Sequence, residues 1–140
     1  MPSITLEPEN LRQLSARMSD DIWVVACLCA AWCDVCTLYK PGFDALAELH
    51  PDKLFLWIDV EDQADLIGDF DVENFPTLLI QRGDDVVFYG TSLPDPHIAH
   101  RLISSHADQT MEENRAAIQS TAERQAWQQE RNLRRALRQD

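Results

Sequence analysis

The apolar positions of the chain change period several times, and each change marks an element. "SITLE" (3–7) alternates weakly, as a short edge strand does. "PENLRQLSARMSD" places apolar residues at 11, 14 and 18, one face of a helix, with Pro8 near its start. "IWVVACLCA" (22–30) is almost unbroken and partly β-branched, which predicts a strand buried on both faces. From Cys33 the period lengthens: Tyr39, Phe43, Leu46 and Leu49, separated by acids, predict an amphipathic helix ending near His50–Pro51.

"KLFLWIDV" (53–60) predicts a second buried strand, "QADLIGDF" (63–70) a short helix and "FPTLLIQ" (75–81) a third strand. "RGDD" turns the chain into "VVFYG" (86–90), the partner in a hairpin. "PDPHIAHRLISSH" (94–106) predicts a helix with Ile98, Leu102 and Ile103 facing inward. Strand–helix–strand followed by a hairpin and a closing helix predicts an α/β fold, a mixed sheet flanked by helices.

Residues 107–140 differ from what precedes them. They lack glycine and proline and are rich in Ala, Gln, Glu and Arg, which predicts one long helix over about 109–138. Its acids come early and its arginines late, in keeping with the helix dipole. Its apolar stripe is thin (Met111, Ile118, Ala122, Leu133, Leu137), with Trp127 off the line. The expected organisation is a domain at 1–106 and a C-terminal helical extension at 107–140. That extension either packs partly on the domain or serves self-association or partner docking.

Charge narrows the partners. The net charge is −12; residues 1–106 carry 18 Asp/Glu against 6 Lys/Arg, whereas the remainder carries 6 of each. So acidic a body disfavours nucleic acid or an anionic membrane as partner. The longest apolar run, 22–33, falls short of a membrane-spanning helix. "MPSITLEPEN" has neither the basic region nor the apolar core of a signal peptide. A cytoplasmic protein is expected.

The candidate chemistry lies in "AAWCDVCTLYKP" (30–41), where Cys33 and Cys36 stand two residues apart, with Cys27 and Cys29 just upstream. A pair so spaced serves as a redox couple, half of a metal site or a structural crosslink. In a reducing compartment the crosslink is disfavoured. Four thiols spaced C-x-C-x3-C-x2-C match neither the usual zinc-finger nor the common ferredoxin pattern, and no metal is expected. There is no phosphate loop or dinucleotide fingerprint, so nicotinamide or flavin chemistry would belong to a separate reductase. His97, His100 and His106 read as the solvated side of the late helix, and His50 as a helix-end residue.

In order along residues 3–106, Trp32-Cys33-Asp34-Val35-Cys36, Pro41, Asp59, Phe75-Pro76-Thr77 and Gly90 resemble the thioredoxin family. The resemblance implies a three-layer α/β/α thioredoxin-like fold and a thiol–disulfide oxidoreductase of protein disulfides, needing no cofactor beyond a redox-active Cys33–Cys36 disulfide. Cys33 would be the nucleophile at a helix N-terminus and Cys36 the resolving thiol one turn deeper. Pro76 would be cis, the backbone of Phe75 would pair with the substrate peptide, and Trp32 would add an apolar contact.

The departures from the family pattern are equally specific. Where thioredoxins carry a buried aspartate, six residues before the nucleophile, this chain has Cys27. The lysine expected opposite is assigned to Phe55 by the same register. Losing both charges keeps the core electrically consistent but removes a proton acceptor for Cys36, so slower exchange is expected. The spacer Asp34-Val35 tunes the couple: Asp34 opposes negative charge on the neighbouring sulfur, leaning it toward a reductant. Cys27 and Cys29 share one strand face. They read as core-filling thiols or, with Cys27 beneath the dithiol, as a reserve able to form an alternative disulfide with Cys36. A thioredoxin-fold adaptor, docking partners through the Pro76 groove and the terminal helix, is the alternative function.

Overall fold

The computed structural model describes residues 3–70, 72–92 and 94–138. The chain runs β1 (Ile4–Thr5), α1 (Leu11–Arg17), β2 (Trp23–Cys29), α2 (Asp34–Leu49), β3 (Leu54–Asp59) and α3 (Ala64–Ile67), which continues as a 3-10 turn over Gly68–Phe70. It goes on through β4 (Thr77–Arg82), β5 (Asp85–Thr91), α4 (Pro96–Ala107), α5 (Met111–Ile118), α6 (Ala122–Glu130) and α7 (Leu133–Leu137). Five strands form one mixed sheet in the order β1-β3-β2-β4-β5, parallel across β1, β3 and β2 and antiparallel across β2-β4 and β4-β5. All seven residues of β2 are buried, as its unbroken apolar run demands of a central strand.

Each face of the sheet has its own core. One gathers Leu11 and Leu14 of α1, Ile67 of α3, and Trp127, Leu133 and Leu137 of the tail against Val24, Ala26 and Leu28. The other gathers Tyr39, Phe43 and Leu46 of α2, Ala99 and Ile103 of α4, and Ile118 of α5 against Val25, Cys27 and Cys29. The alternation of β2 between the two cores is the period-two rule made visible. The hairpin turn uses Gly83 at φ 57°, where a Cβ would collide with the backbone of Asp20.

The single long helix expected over 109–138 is instead three. Thr110, Thr121 and Asn132 each adopt extended backbone and accept an N–H from the turn that follows, restarting the helix. Thr110 and Glu113 complete a capping box. The breaks let the tail bend around strand β5: Ile118 enters the core on one face, and Trp127, Leu133 and Leu137 enter the core on the other. The thin stripe is thus two half-stripes aimed at opposite faces, and Trp127 is buried rather than a stray aromatic. Two smaller expectations differ on helix phase. Leu49 is 64% exposed, and on α4 Ile103 is fully buried and Leu102 packs half-buried against the core as expected, but the second fully buried residue is Ala99 and not Ile98.

Candidate active site

Strand β2 delivers the chain to the site. Its last residue, Cys29, is followed by a tight turn in which the Cys33 N–H donates to Ala30 O at 3.0 Å. Asp59, at the end of the neighbouring strand, pins that turn by accepting from the Ala31 N–H at 2.9 Å, while its other oxygen takes the N–H groups of Glu61 and Asp62. Cys33 is the N-cap of α2, and its side chain makes no capping bond, which leaves the sulfur uncommitted. It is half-buried, whereas Cys36, three residues on along the same helical face, is 1% exposed.

Phe75–Pro76 is a cis peptide bond, and Trp32 meets the Phe75 ring edge-on at 5.6 Å between centroids. Trp32 itself is 65% exposed, with Val35 and Leu38 also open to solvent. Asp34 is likewise exposed, in the first turn of α2. Pro76 is buried, and its carbonyl accepts from the Ser92 N–H. The structure therefore brings Trp32, Cys33, Cys36, Phe75 and Pro76 together at one end of the sheet.

The pairing of the sulfurs differs from the sequence-based expectation. Cys36 is disulfide-bonded to Cys29, their Cα atoms 5.9 Å apart, and Cys33 and Cys27 are free thiols. The inner neighbour of Cys36 is thus Cys29 and not Cys27. A strand advances about 3.3 Å per residue, so Cys29, two residues nearer the end of β2, lies level with the first turn of α2 and Cys27 lies a step deeper. Cys27 Sγ stands 3.6 Å from Cys29 Sγ, and because a disulfide sulfur carries no hydrogen, the Cys27 thiol is the donor. Burial pushes the Cys27 thiol far above its ordinary range, with Lys40 pulling weakly the other way, so it stays protonated.

Opposite Cys27 on β3 lies Trp57, whereas Phe55 pairs with Val25. Phe55, which the resemblance sets opposite Cys27 in place of the lysine, is therefore not its strand partner; Trp57, two residues along, is. A cation reaches this region by another route: Lys40 of α2 sits 5.4 Å from the Trp57 ring centre while holding Asp44 at 3.0 Å. An open cleft of about 450 Å³ borders Cys36 here, between Lys40, Trp57 and Asp59.

Two histidines expected to be unremarkable meet across the helices. His50, capping α2, and His100, on α4, share a hydrogen bond of 2.9 Å between Nε2 and Nδ1. Burial holds His50 below its ordinary value, with Lys53 and His100 adding to the effect and Asp52 opposing it. No sequence pattern links positions 50 and 100; only the packing of α2 on α4 does. For Cys29 a signal existed in its closeness to the strand end. Among the described residues no group of three or more His, Cys, Asp or Glu side chains is arranged to hold a metal ion.

Comparison with known proteins agrees with this geometry. The family model described as Thioredoxin matches residues 3–103. The chain is 31% identical over 125 residues to a putative thioredoxin 2 of Streptomyces coelicolor, covering 89% of this chain and 88% of that protein, a span that necessarily runs past residue 106. It is 32% identical over 81 residues to a thioredoxin H-type of Brassica campestris, covering 58% of this chain and 65% of that one. Among solved structures, thioredoxin NaTrxh from Nicotiana alata superposes with a TM-score of 0.65 at 22% identity, covering 76% of this chain and 95% of that one. With the family model spanning all five strands, the Trp-Cys-X-X-Cys turn and the cis proline, the chain belongs to the thioredoxin family of thiol–disulfide oxidoreductases.

Proposed function

We propose that the protein reduces disulfides in other proteins by cycling Cys33 and Cys36 between dithiol and disulfide. The observation that carries this reading is the asymmetry of the two sulfurs: Cys33 is half-exposed and uncommitted at the mouth of a sixteen-residue helix, and Cys36 is buried one turn below. Cys33 Sγ attacks a substrate disulfide, forming a mixed disulfide and expelling one substrate thiolate. Cys36 then attacks Cys33 Sγ, which closes the internal bond and releases the second substrate thiol. Two electrons pass to the substrate, and a separate reductase returns them.

The substrate is an extended peptide lying along the backbone of Phe75, with Trp32 as an apolar contact beside the nucleophile. Asp34 and Val35 in the spacer bias the couple toward reduction, and the setting is the cytoplasm. Catalysed reduction of insulin by dithiothreitol tests the reading. Wild type accelerates precipitation of the insulin B chain, and Cys33→Ser does not. Wild type no faster than Cys33→Ser would leave an adaptor, docking partners without exchange, as the surviving account.

A further inference from the structure

We propose that Cys29 is a third working thiol: the oxidation that arrives on the Cys33/Cys36 couple passes inward to a Cys29–Cys36 bond, which restores Cys33 to a free thiol. The proposal rests on the Cys33/Cys36 reading above. Cys36 has a possible partner on each side. Outward, Cys33 lies on the same turn of α2, at the three-residue spacing that brings side chains together. Inward, Cys29 is bonded to it across a Cα separation of 5.9 Å, inside the 4.4–6.8 Å range that a disulfide spans without moving the backbone.

The exchange balances without any added oxidant. The Cys29 thiolate attacks Cys36 Sγ, the Cys29–Cys36 bond forms and the Cys33–Cys36 bond breaks. Cys33 leaves as a thiolate and takes up, through solvent, the proton that Cys29 gave away. One disulfide is present before and after, so the protein stays oxidised by two electrons. The Cys27 thiol, 3.6 Å from Cys29 Sγ, is placed to donate to that sulfur while it carries charge. An open cleft borders Cys36, the sulfur exchanged between the two partners.

The consequence is chemical. A two-cysteine couple hides both thiols when oxidised, whereas this protein, once oxidised, presents Cys33 as a half-exposed thiol with its resolving partner occupied. A substrate then captured on Cys33 stays attached until the inner bond reopens.

Chymotryptic mapping of the full chain decides the matter, because cleavage after Trp32 separates Cys29 from both Cys33 and Cys36. Reduced protein is oxidised with one equivalent of diamide, quenched with N-ethylmaleimide under denaturing conditions and digested without reduction. The expected product joins the Cys29 peptide to the Cys36 peptide and carries maleimide on Cys33. In Cys29→Ala that maleimide is lost and Cys33–Cys36 closes within one peptide. A wild-type map showing only the bond within one peptide, with maleimide on Cys29, overturns the relay. Insulin reduction is scored on the same preparations: turnover with that map leaves the oxidoreductase standing alone, whereas a Cys29–Cys36 bond without turnover removes the reading on which the relay rests. The wild-type map decides even if Cys29→Ala fails to fold.

Discussion

Gln128 on α6 lays its side-chain amide along the backbone of Val86, donating to the carbonyl at 2.8 Å and accepting from the N–H at 2.9 Å. A single side chain thereby acts as one more rung on the open edge of β5, the position at which an unpaired strand invites association. Around it, Arg131 stacks 5.0 Å from the Tyr89 ring centre, Arg115 pairs with Asp85 at 3.1 Å, and Trp127 meets Phe88 edge-on. Gln128→Ala removes both bonds and is expected to cost about 1–2 kcal/mol, a few degrees in Tm, with increased self-association at high concentration. Thermal denaturation and light scattering measure the two effects; a variant unchanged in both would show the tail to be incidental to the edge.

Gln81 anchors the tail more deeply. It is fully buried, donates to Gly83 O and to Asn132 Oδ1, each at 2.8 Å, and accepts from the Leu133 N–H at 2.8 Å. Gln81→Leu leaves the Leu133 N–H and the Gly83 carbonyl without this partner, and about 2 kcal/mol of stability should be lost. Because Leu133 starts α7, amide hydrogen exchange across 133–137 should accelerate more than across β2. Uniform acceleration would contradict a local anchor.

The His50–His100 pair makes stability depend on pH. His50 is held below the ordinary value of 6.5, mainly by burial, so the unfolded chain binds more protons than the folded one near and below that value. The stabilisation is complete above pH 6.5 and is lost as pH falls through the depressed folded value. The urea midpoint of wild type should therefore drop between pH 7.5 and 5.5. His50→Phe, which keeps the stack on Phe55, should flatten the profile without abolishing it, since burial also lowers His106. An equal slope in both proteins would dismiss the pair.

Trp32 is largely exposed yet rests on Phe75, and under the proposed function it meets substrate rather than holding the fold. Trp32→Ala should raise KM for insulin about 2- to 10-fold, the worth of one aromatic contact, with a smaller change in kcat. Stability should shift by no more than about 0.5 kcal/mol. A loss confined to kcat would place the indole in the chemistry instead.

Much of the protein is legible in its local pattern, and the reasons are local. An unbroken apolar run such as 23–29 can be satisfied only between two covering layers, so β2 had to be central. The repeat from Tyr39 to Leu46 could form only an amphipathic helix, and the motifs around Cys33 and Pro76 carry their own geometry. The helix breaks in the tail were also written locally, in Thr121 and Asn132, but without glycine or proline they were outweighed by the helix-forming residues around them.

Other features existed only once the sheet had closed. Whether Cys36 meets Cys29 or Cys27 depends on how far along β2 the first turn of α2 is seated. Whether Trp57 or Phe55 faces Cys27 depends on a two-residue difference in register between parallel strands, to which period-two patterning is blind. His50 met His100, and Gln128 met Val86, because distant segments packed side by side. Composition, period and motif fix what each segment is, since those are properties of near neighbours; which sulfur touches which is decided by how the layers are stacked.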